Sequence, residues 1–247
     1  MSIQIGLYPV KCSHHAKFFY LEPMSTPVPI SKTKIVVPNR RPELISRARL
    51  LENINESLDR KLTLLSAPAG YGKTSLLIDL AHSAELPVCW LSLDPLDRDP
   101  QRFMAYMVAA LAEEFPGVAA PLQPLLDELK SIENDAEPLL IALTNELYEQ
   151  VEQDFLFILD DYHLLDDVPV ISSLLNRFLQ LVDENCHVIL SSRVPPALPD
   201  LTLMIAREQV DGLNQAELAF RPREIQSFFA QNQHHYVSDQ TAEELVE

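Results

Sequence analysis

The sequence predicts an α/β protein in which a mostly parallel sheet lies between two layers of helices. Four short runs are almost continuously apolar, as is typical of strands buried on both faces. They are Leu62–Leu65, Val88–Leu93, Phe155–Leu159 and His187–Ser191. Segments with a helical spacing of apolar residues separate these runs, and such alternation of strands and helices favours a parallel sheet.

The helices follow from the same patterns. Helical spacing covers Ser46–Arg60, Lys73–Ser83, Pro100–Phe115, Ala136–Glu152 and Val168–Val182. Beyond Val194 the alternation fades, although Gln209–Leu213 is a candidate for a last strand. Two further helices are predicted, one over Arg221–Phe229 with Pro222 in its first turn, and one after Ser238 as its cap.

The composition is that of a folded chain and limits its partners. Of 247 residues, 47% are hydrophobic and 22% are charged, and the net charge is −17. Such an acidic chain is not expected to bind nucleic acid directly, because that requires clustered lysine and arginine. No apolar run approaches the roughly 18 residues of a membrane span. Residues 1–73 contain 11 Lys or Arg against 5 Asp or Glu, so the acidic chain keeps a basic first third that suits a local anion site.

The N-terminal region and the cysteines give weaker signals. Prolines predict an extended lead-in over residues 23–39, and Met24 is an alternative start to Met1. Cys12 lies near two histidines, but no second ligand pair follows, which disfavours a metal site. Cys89 and Cys186 are expected to be buried thiols in a reducing, cytoplasmic compartment.

A phosphate-binding loop is predicted between the first strand and the helix that follows it. The stretch Ala67-Pro-Ala-Gly-Tyr-Gly-Lys-Thr74 matches the P-loop pattern except that alanine replaces the first glycine. Its glycines let backbone N–H groups wrap a phosphate, and the helix N-terminus adds positive potential. Lys73 is expected to contact the β- and γ-phosphates, and Thr74 to offer its hydroxyl to Mg²⁺. The predicted ATP-binding residues of the loop are Ala69, Gly70, Tyr71, Gly72, Lys73, Thr74 and Ser75.

Charged residues follow two other predicted strands. Asp160 and Asp161 come directly after Phe155–Leu159, and we expect Asp160 to hold Mg²⁺ and Asp161 to orient or deprotonate the attacking water. Arg193 follows the fourth strand, where it would face the ligand crevice and the γ-phosphate. The alternatives are that the acids merely end a strand in solvent and that Arg193 is a surface residue. Asp94 and Asp97 lie after the second strand without an assigned role, and solvation is sufficient to explain them.

Together these elements resemble the nucleotide-binding domain of the signal-transduction ATPases with numerous domains (STAND), and within them the MalT-like, LuxR-type transcriptional regulators. The resemblance covers roughly residues 32–247. The matching stretches are Lys34–Pro38, Leu44–Leu51, Leu64–Thr74, Trp90–Asp94, Asp99–Phe103, Leu159–Leu164, Glu217–Phe220 and Glu224.

The resemblance implies a P-loop NTPase fold, a three-layer α-β-α sandwich, and roles for particular residues. Lys73, Thr74 and Asp160 look like the phosphate and Mg²⁺ residues, Asp161 like the catalytic acid, and Arg193 like the sensor arginine. Arg47 resembles, more loosely, a position that helps to hold the nucleotide. We expect an extended or disordered segment over 1–33, a nucleotide-binding domain over 34–212, and the truncated start of a helical or winged-helix region over 213–247.

The implied function is that of a switch. Such regulators bind ATP and an inducer, self-assemble, and are reset by hydrolysis. They also continue into sensor and DNA-binding domains, so a chain ending at Glu247 is expected to be a fragment, a truncated frame or a stand-alone remnant. We therefore predict a Mg-ATP-binding domain with weak ATPase activity. The alternatives are a binding-only module and a small-molecule kinase, although the segment after Arg193 lacks the arginines of a kinase lid.

Overall fold

The computed structural model describes residues 28–128, 132–232 and 236–246. Within these ranges five strands form one sheet in the spatial order β2–β3–β4–β1–β5, and every neighbouring pair is parallel. The strands are β1 (Leu62–Ser66), β2 (Val88–Ser92), β3 (Phe155–Asp160), β4 (Cys186–Ser192) and β5 (Val210–Leu213). The predicted parallel sheet is therefore confirmed, and β4 separates the strand before the P-loop from the strand that ends in Asp160.

The helices alternate with these strands. They are α1 (Lys32–Ile35), α2 (Ala48–Glu56), α3 (Lys73–Ser83), α4 (Pro100–Glu114), α5 (Ala119–Glu128), α6 (Ile132–Gln150), α7 (Pro169–Leu181), α8 (Leu201–Ala206), α9 (Gln215–Leu218), α10 (Pro222–Asn232) and α11 (Asp239–Glu244). Short 3₁₀ turns occur at Pro95–Arg98, Pro116–Val118 and Tyr162–Leu164. As predicted, Pro222 begins α10, and Ser238 caps α11 by accepting a hydrogen bond from the Thr241 amide.

Two hydrophobic layers cover the sheet, one on each face. All six residues of β3 are buried. Phe155, Phe157 and Leu159 pack in one cluster with residues of α4, α6 and α7, whereas Leu156 and Ile158 pack in the other with residues of α2 and α3. Successive side chains of a strand point to opposite faces, so this division places helices on both sides and gives the three-layer α-β-α arrangement of P-loop NTPases.

The structure corrects the prediction of an extended lead-in over residues 23–39. Residues 32–35 form the short helix α1, and Ile35 is buried in the core. No proline lies between Pro29 and Pro38, so nothing in this interval prevents a helical turn.

Besides α1, the helices α5, α8 and α9 were not predicted from the sequence, and some predictions lie outside the described residues. Prolines at 121 and 124 obscure the pattern of α5, and α8 is short and follows a proline-rich stretch. Cys89 and Cys186 are buried free thiols, as expected, and burial raises the pKa of both. The cysteine–histidine cluster and the alternative start at Met24 fall outside the described ranges. No helix within those ranges has both the length and the apolar character to cross a bilayer.

Candidate functional site

The loop between β1 and α3 has the backbone that phosphate binding requires. Gly70 and Gly72 have φ angles of +93° and +74°, in the left-handed region that glycine adopts without strain. A Cβ atom at either position would meet nothing within 4 Å, so these glycines serve backbone conformation, and the space beside them is open. Because α3 begins at Lys73, the positive end of its dipole lies at the same place.

Lys73 is held by the loop itself. Its Nζ donates to the carbonyl oxygens of Ala67, at 2.6 Å, and Pro68, at 3.1 Å, and the residue is 7% exposed. Burial lowers the pKa of Lys73, whereas the nearby charges of Asp161 and Asp160 act in the opposite direction. No carboxylate of the described chain forms an ion pair with this ammonium group, so its charge is available to an anion.

The remaining predicted loop residues lie around the same space. Ala69, Thr74 and Ser75 are exposed, and Tyr71 is half-buried. The Tyr71 hydroxyl accepts a hydrogen bond from Gln215 Nε2 at 2.9 Å, which ties the loop to α9.

Thr74 and Asp160, the two residues expected to serve Mg²⁺, are hydrogen-bonded to each other. Thr74 Oγ1 donates to Asp160 Oδ1 at 3.2 Å, and Ser191 Oγ donates to the same carboxylate oxygen. Asp160 is almost fully buried, and this burial raises its pKa, although the Ser191 hydrogen bond opposes the shift. A hydroxyl beside a carboxylate is an oxygen donor set that suits Mg²⁺, which normally completes its shell with phosphate oxygens and water.

Ser191 was not predicted as a site residue. It reaches Asp160 because β4 lies next to β3 in the sheet, and that neighbourhood is a product of strand order. The available signal was a pair of serines at the end of an otherwise apolar strand. The second serine of this pair, Ser192, has a buried hydroxyl that forms no hydrogen bond with the described residues.

Asp161 begins the turn that follows β3. Its φ of +64° is unusual for a residue with a side chain, and its backbone N–H donates to Ser191 Oγ at 2.9 Å. The side chain is 47% exposed, so its carboxylate is accessible at the carboxyl edge of the sheet.

His163 lies two residues further on and faces the same group. Its Nδ1 is 3.7 Å from Asp161 Oδ1, and the side chain is 11% exposed. Neither ring nitrogen forms a hydrogen bond with any described residue, a situation that is rare for buried polar atoms outside functional sites. Burial lowers the pKa of His163. The positive charges of Arg193 and Lys73 lower this pKa further, whereas the negative charge of Asp161 raises it.

Protonation of His163 is expected to reduce stability in mildly acidic solution. Because its pKa is lower in the folded state than the ordinary 6.5, the unfolded chain binds the proton more readily. The contribution to the free energy of unfolding is therefore retained above pH 6.5 and lost as the pH falls through the lower folded pKa. His163→Gln should flatten this part of the pH profile in urea unfolding. If the pH dependence of the free energy of unfolding is the same in His163→Gln and the parent, His163 is not the group responsible for it.

Arg193 follows β4 at the same edge of the sheet. It is exposed, and it forms no hydrogen bond or ion pair with the described residues. Its charge nevertheless acts on both Lys73 and His163. The arginine is therefore near the phosphate loop and free to contact an anion there.

Arg47 lies beside the loop, but its guanidinium group is occupied by the chain. It donates to the carbonyl oxygens of Leu218, at 3.0 Å, and Ala219, at 2.8 Å, and to the Glu224 carboxylate at 3.0 Å. It also lies over the Phe220 ring, 4.4 Å from the ring centre. The expected direct contact with a nucleotide therefore stays a prediction, and the observed contacts join α2 to the segment before α10.

Arg47 also lines a cavity of about 490 Å³ next to the loop. Its wall combines loop and α3 residues with apolar and charged side chains from the segments before α2 and after α9. These lining residues are Arg41, Glu43, Leu44, Ile45, Gly70, Gly72, Ser75, Leu76, Asp79, Phe220 and Phe228. A largely apolar cleft of this size beside a phosphate loop can accommodate a purine base.

Solvation does not explain Asp97, contrary to expectation. Asp97 is fully buried and pairs with Lys34 and Arg102, and Asp94 also pairs with Lys34. Both carboxylates cap the turn at Pro95–Arg98. They are structural groups of the loop after β2.

Comparisons with known proteins show which proteins the chain is similar to. No protein-family model matches the chain. The HTH-type transcriptional regulator MalT of Serratia proteamaculans is 32% identical over 200 residues, which cover 80% of this chain and 21% of that protein. MalT of Cronobacter sakazakii is 31% identical over 197 residues, again 80% of this chain and 21% of the relative. The chain thus spans about a fifth of the length of these relatives.

A solved structure shows the same fold. The STAND protein with a tetratricopeptide-repeat sensor from Pyrococcus horikoshii matches with a TM-score of 0.51 and 17% identity, over 88% of this chain and 29% of that one. At this identity the likeness concerns the fold alone. Taken together, the sequence is similar to MalT regulators over 80% of this chain, and the fold is an α/β P-loop NTPase fold.

Proposed function

We propose that this chain is a regulatory nucleotide-binding domain that takes Mg-ATP, hydrolyses it slowly and uses ATP and ADP as the two states of a switch. One observation carries the proposal. The glycine loop, the Lys73 ammonium group and the hydroxyl–carboxylate pair of Thr74 and Asp160 occupy one edge of the sheet, and no described residue forms an ion pair with Lys73. The loop amides and the ammonium group complement the phosphates of a nucleoside triphosphate, and the hydroxyl–carboxylate pair complements its metal ion.

Each group then has a distinct task in binding. Loop amides and Lys73 hold the β- and γ-phosphates, while Thr74 and Asp160 hold Mg²⁺, which neutralises phosphate charge when it is bound. The base and ribose occupy the cavity of about 490 Å³ against Phe220 and Phe228. Because this cavity is walled by the P-loop and by the segment at 220–228, an occupied site touches both parts of the chain. That arrangement suits a switch.

Hydrolysis is assigned to the groups around the turn after β3. The accessible carboxylate of Asp161 accepts a proton from the attacking water. His163, with its lowered pKa and free ring nitrogens, orients the same water or Asp161. Arg193 contacts the γ-phosphate and distinguishes ATP from ADP.

The wider role rests on the relatives. They are named as HTH-type transcriptional regulators, and we assign the present residues to the switch region of such a regulator. An inducer and self-association would act through a full-length protein of that kind. We do not propose a nucleic-acid contact for this part of the regulator, because its composition is acidic.

Saturation with Mg-ATP is expected to stabilise the fold. At about 100 times its dissociation constant, a ligand that binds only the folded state adds about 2.7 kcal/mol to the free energy of unfolding. The single tryptophan, Trp90, is fully buried, so its fluorescence reports urea unfolding. Mg²⁺ without nucleotide is the control. If neither ATP nor ADP moves the urea midpoint, the proposal is wrong.

A further inference from the structure

The chain before the first long helix is fastened across the edge of the sheet next to β2. We call residues 28–35 the strap. The Ser31 backbone N–H donates to the Tyr106 hydroxyl at 3.0 Å, and that hydroxyl donates to the Pro29 carbonyl at 3.3 Å. Ile35 is buried in the core, and α1 packs against β2. The strap is thus bound to α4 and β2 by both polar and apolar contacts.

Lys34 places a charge from the strap inside the protein. Its Nζ pairs with Asp94 Oδ2 at 2.9 Å and, more closely, with Asp97 Oδ2, and it lies 4.3 Å from the centre of the Tyr106 ring. Arg102 Nε completes the group by donating to Asp97 Oδ1 at 3.0 Å. Asp97 is fully buried, so its charge depends on these two cations.

The carboxylates that Lys34 holds also build the turn after β2. Asp97 Oδ2 accepts a hydrogen bond from the Asp94 N–H at 2.8 Å, and Asp94 Oδ1 accepts one from the Leu96 N–H at 2.7 Å. The turn at Pro95–Arg98 is therefore capped by the same two groups that the strap neutralises.

The loop that contains this turn is hydrogen-bonded to residues on either side of Asp161 and His163. Leu93, just before it, donates its N–H to the Asp160 carbonyl at 3.0 Å. At its other end, Arg98 donates to the Leu164 carbonyl at 3.2 Å and grips Asp167 with both terminal nitrogens. Leu164 ends the short turn that begins directly after Asp161 and contains His163. Ion pairs and hydrogen bonds therefore link the strap to the turn at Tyr162–Leu164.

From this chain of contacts we infer that Lys34 is a positioning residue: through Asp94, Asp97 and Arg98 it fixes the turn that carries Asp161 and His163. The inference rests on the proposed function for its catalytic consequence. Misplacing a reacting group by about 1 Å can cost on the order of 100-fold in rate. Loosening the turn should therefore lower kcat while leaving nucleotide binding, which depends on the P-loop, nearly intact.

The test compares Lys34→Met with Lys32→Met in the whole chain. Lys32 lies on the same strap, but its side chain is 71% exposed and pairs with Glu113 at the surface. In Lys34→Met we expect faster amide hydrogen exchange at residues 161–165 and a kcat for Mg-ATP reduced about tenfold or more, with KM within about twofold of the parent. Lys32→Met should resemble the parent, and Lys34→Arg should restore most of the loss.

A second variant keeps the inference testable if Lys34→Met does not fold. Arg98→Met leaves the buried pair of Lys34 and Asp97 in place and removes only the link to Leu164 and Asp167, and it should give the same faster exchange and lower kcat. Unchanged exchange at 161–165 in the folded variants would overturn the inference, as would equal effects in Lys32→Met. If the parent chain binds ATP without turning it over, the hydrolytic part of the proposed function fails instead, and exchange in the nucleotide-free protein alone decides the role of Lys34.

Discussion

Lys73→Ala is expected to weaken Mg-ATP binding by at least about 100-fold, because two charge-assisted hydrogen bonds to phosphate are lost and each contributes roughly 1.5–3 kcal/mol. The ammonium group has only carbonyl partners in the described chain, so its charge is not needed to neutralise a carboxylate. Isothermal titration calorimetry of parent and variant measures the change in dissociation constant.

The control for Lys73→Ala is Lys32→Ala, which removes an exposed lysine far along the chain from the loop and should leave the affinity unchanged. Urea unfolding without nucleotide shows whether the loss of the bonds to Ala67 and Pro68 has disturbed the fold. If a folded Lys73→Ala protein binds Mg-ATP as tightly as the parent, the loop is not the phosphate site.

Asp161→Asn is expected to retain Mg-ATP binding and to lower turnover by roughly 100-fold or more, the scale of a general-base contribution. The amide has nearly the shape of the carboxylate but cannot accept a proton from water. Phosphate release under saturating Mg-ATP measures turnover, and calorimetry measures affinity.

A matched control for Asp161→Asn exists at the other end of the same strand. Asp154 directly precedes β3 and is exposed, so Asp154→Asn changes the charge equally at the opposite edge of the sheet. Equal turnover in Asp161→Asn and the parent would remove Asp161 as the catalytic base. The binding-only alternative would then account better for the site.

Elements that depend on a short stretch of sequence could be predicted from the sequence alone. The buried strands lie where apolar runs predicted them, and the P-loop has its left-handed glycines because their spacing before Lys73 is a backbone requirement. Thr74 and Asp160, each expected to serve Mg²⁺, lie together because the carboxyl ends of parallel strands share one edge of a sheet.

Contacts that depend on strand order or on distant segments were not predictable in the same way. Ser191 reaches Asp160 only because β4 lies beside β3. Arg47 is held by Leu218 and Glu224, more than 170 residues away in the chain. The burial of Asp97 likewise depends on Lys34 in a segment that the prolines had marked as extended. Such long-range pairs leave no periodic trace in a single sequence.

Calorimetric titration of the parent chain with Mg-ATP tests the central claim most directly. The account predicts saturable binding of one nucleotide per chain, dependence of the affinity on Mg²⁺, and competition by ADP. The absence of saturable binding to the folded chain would contradict the assignment of this edge of the sheet as a nucleotide site.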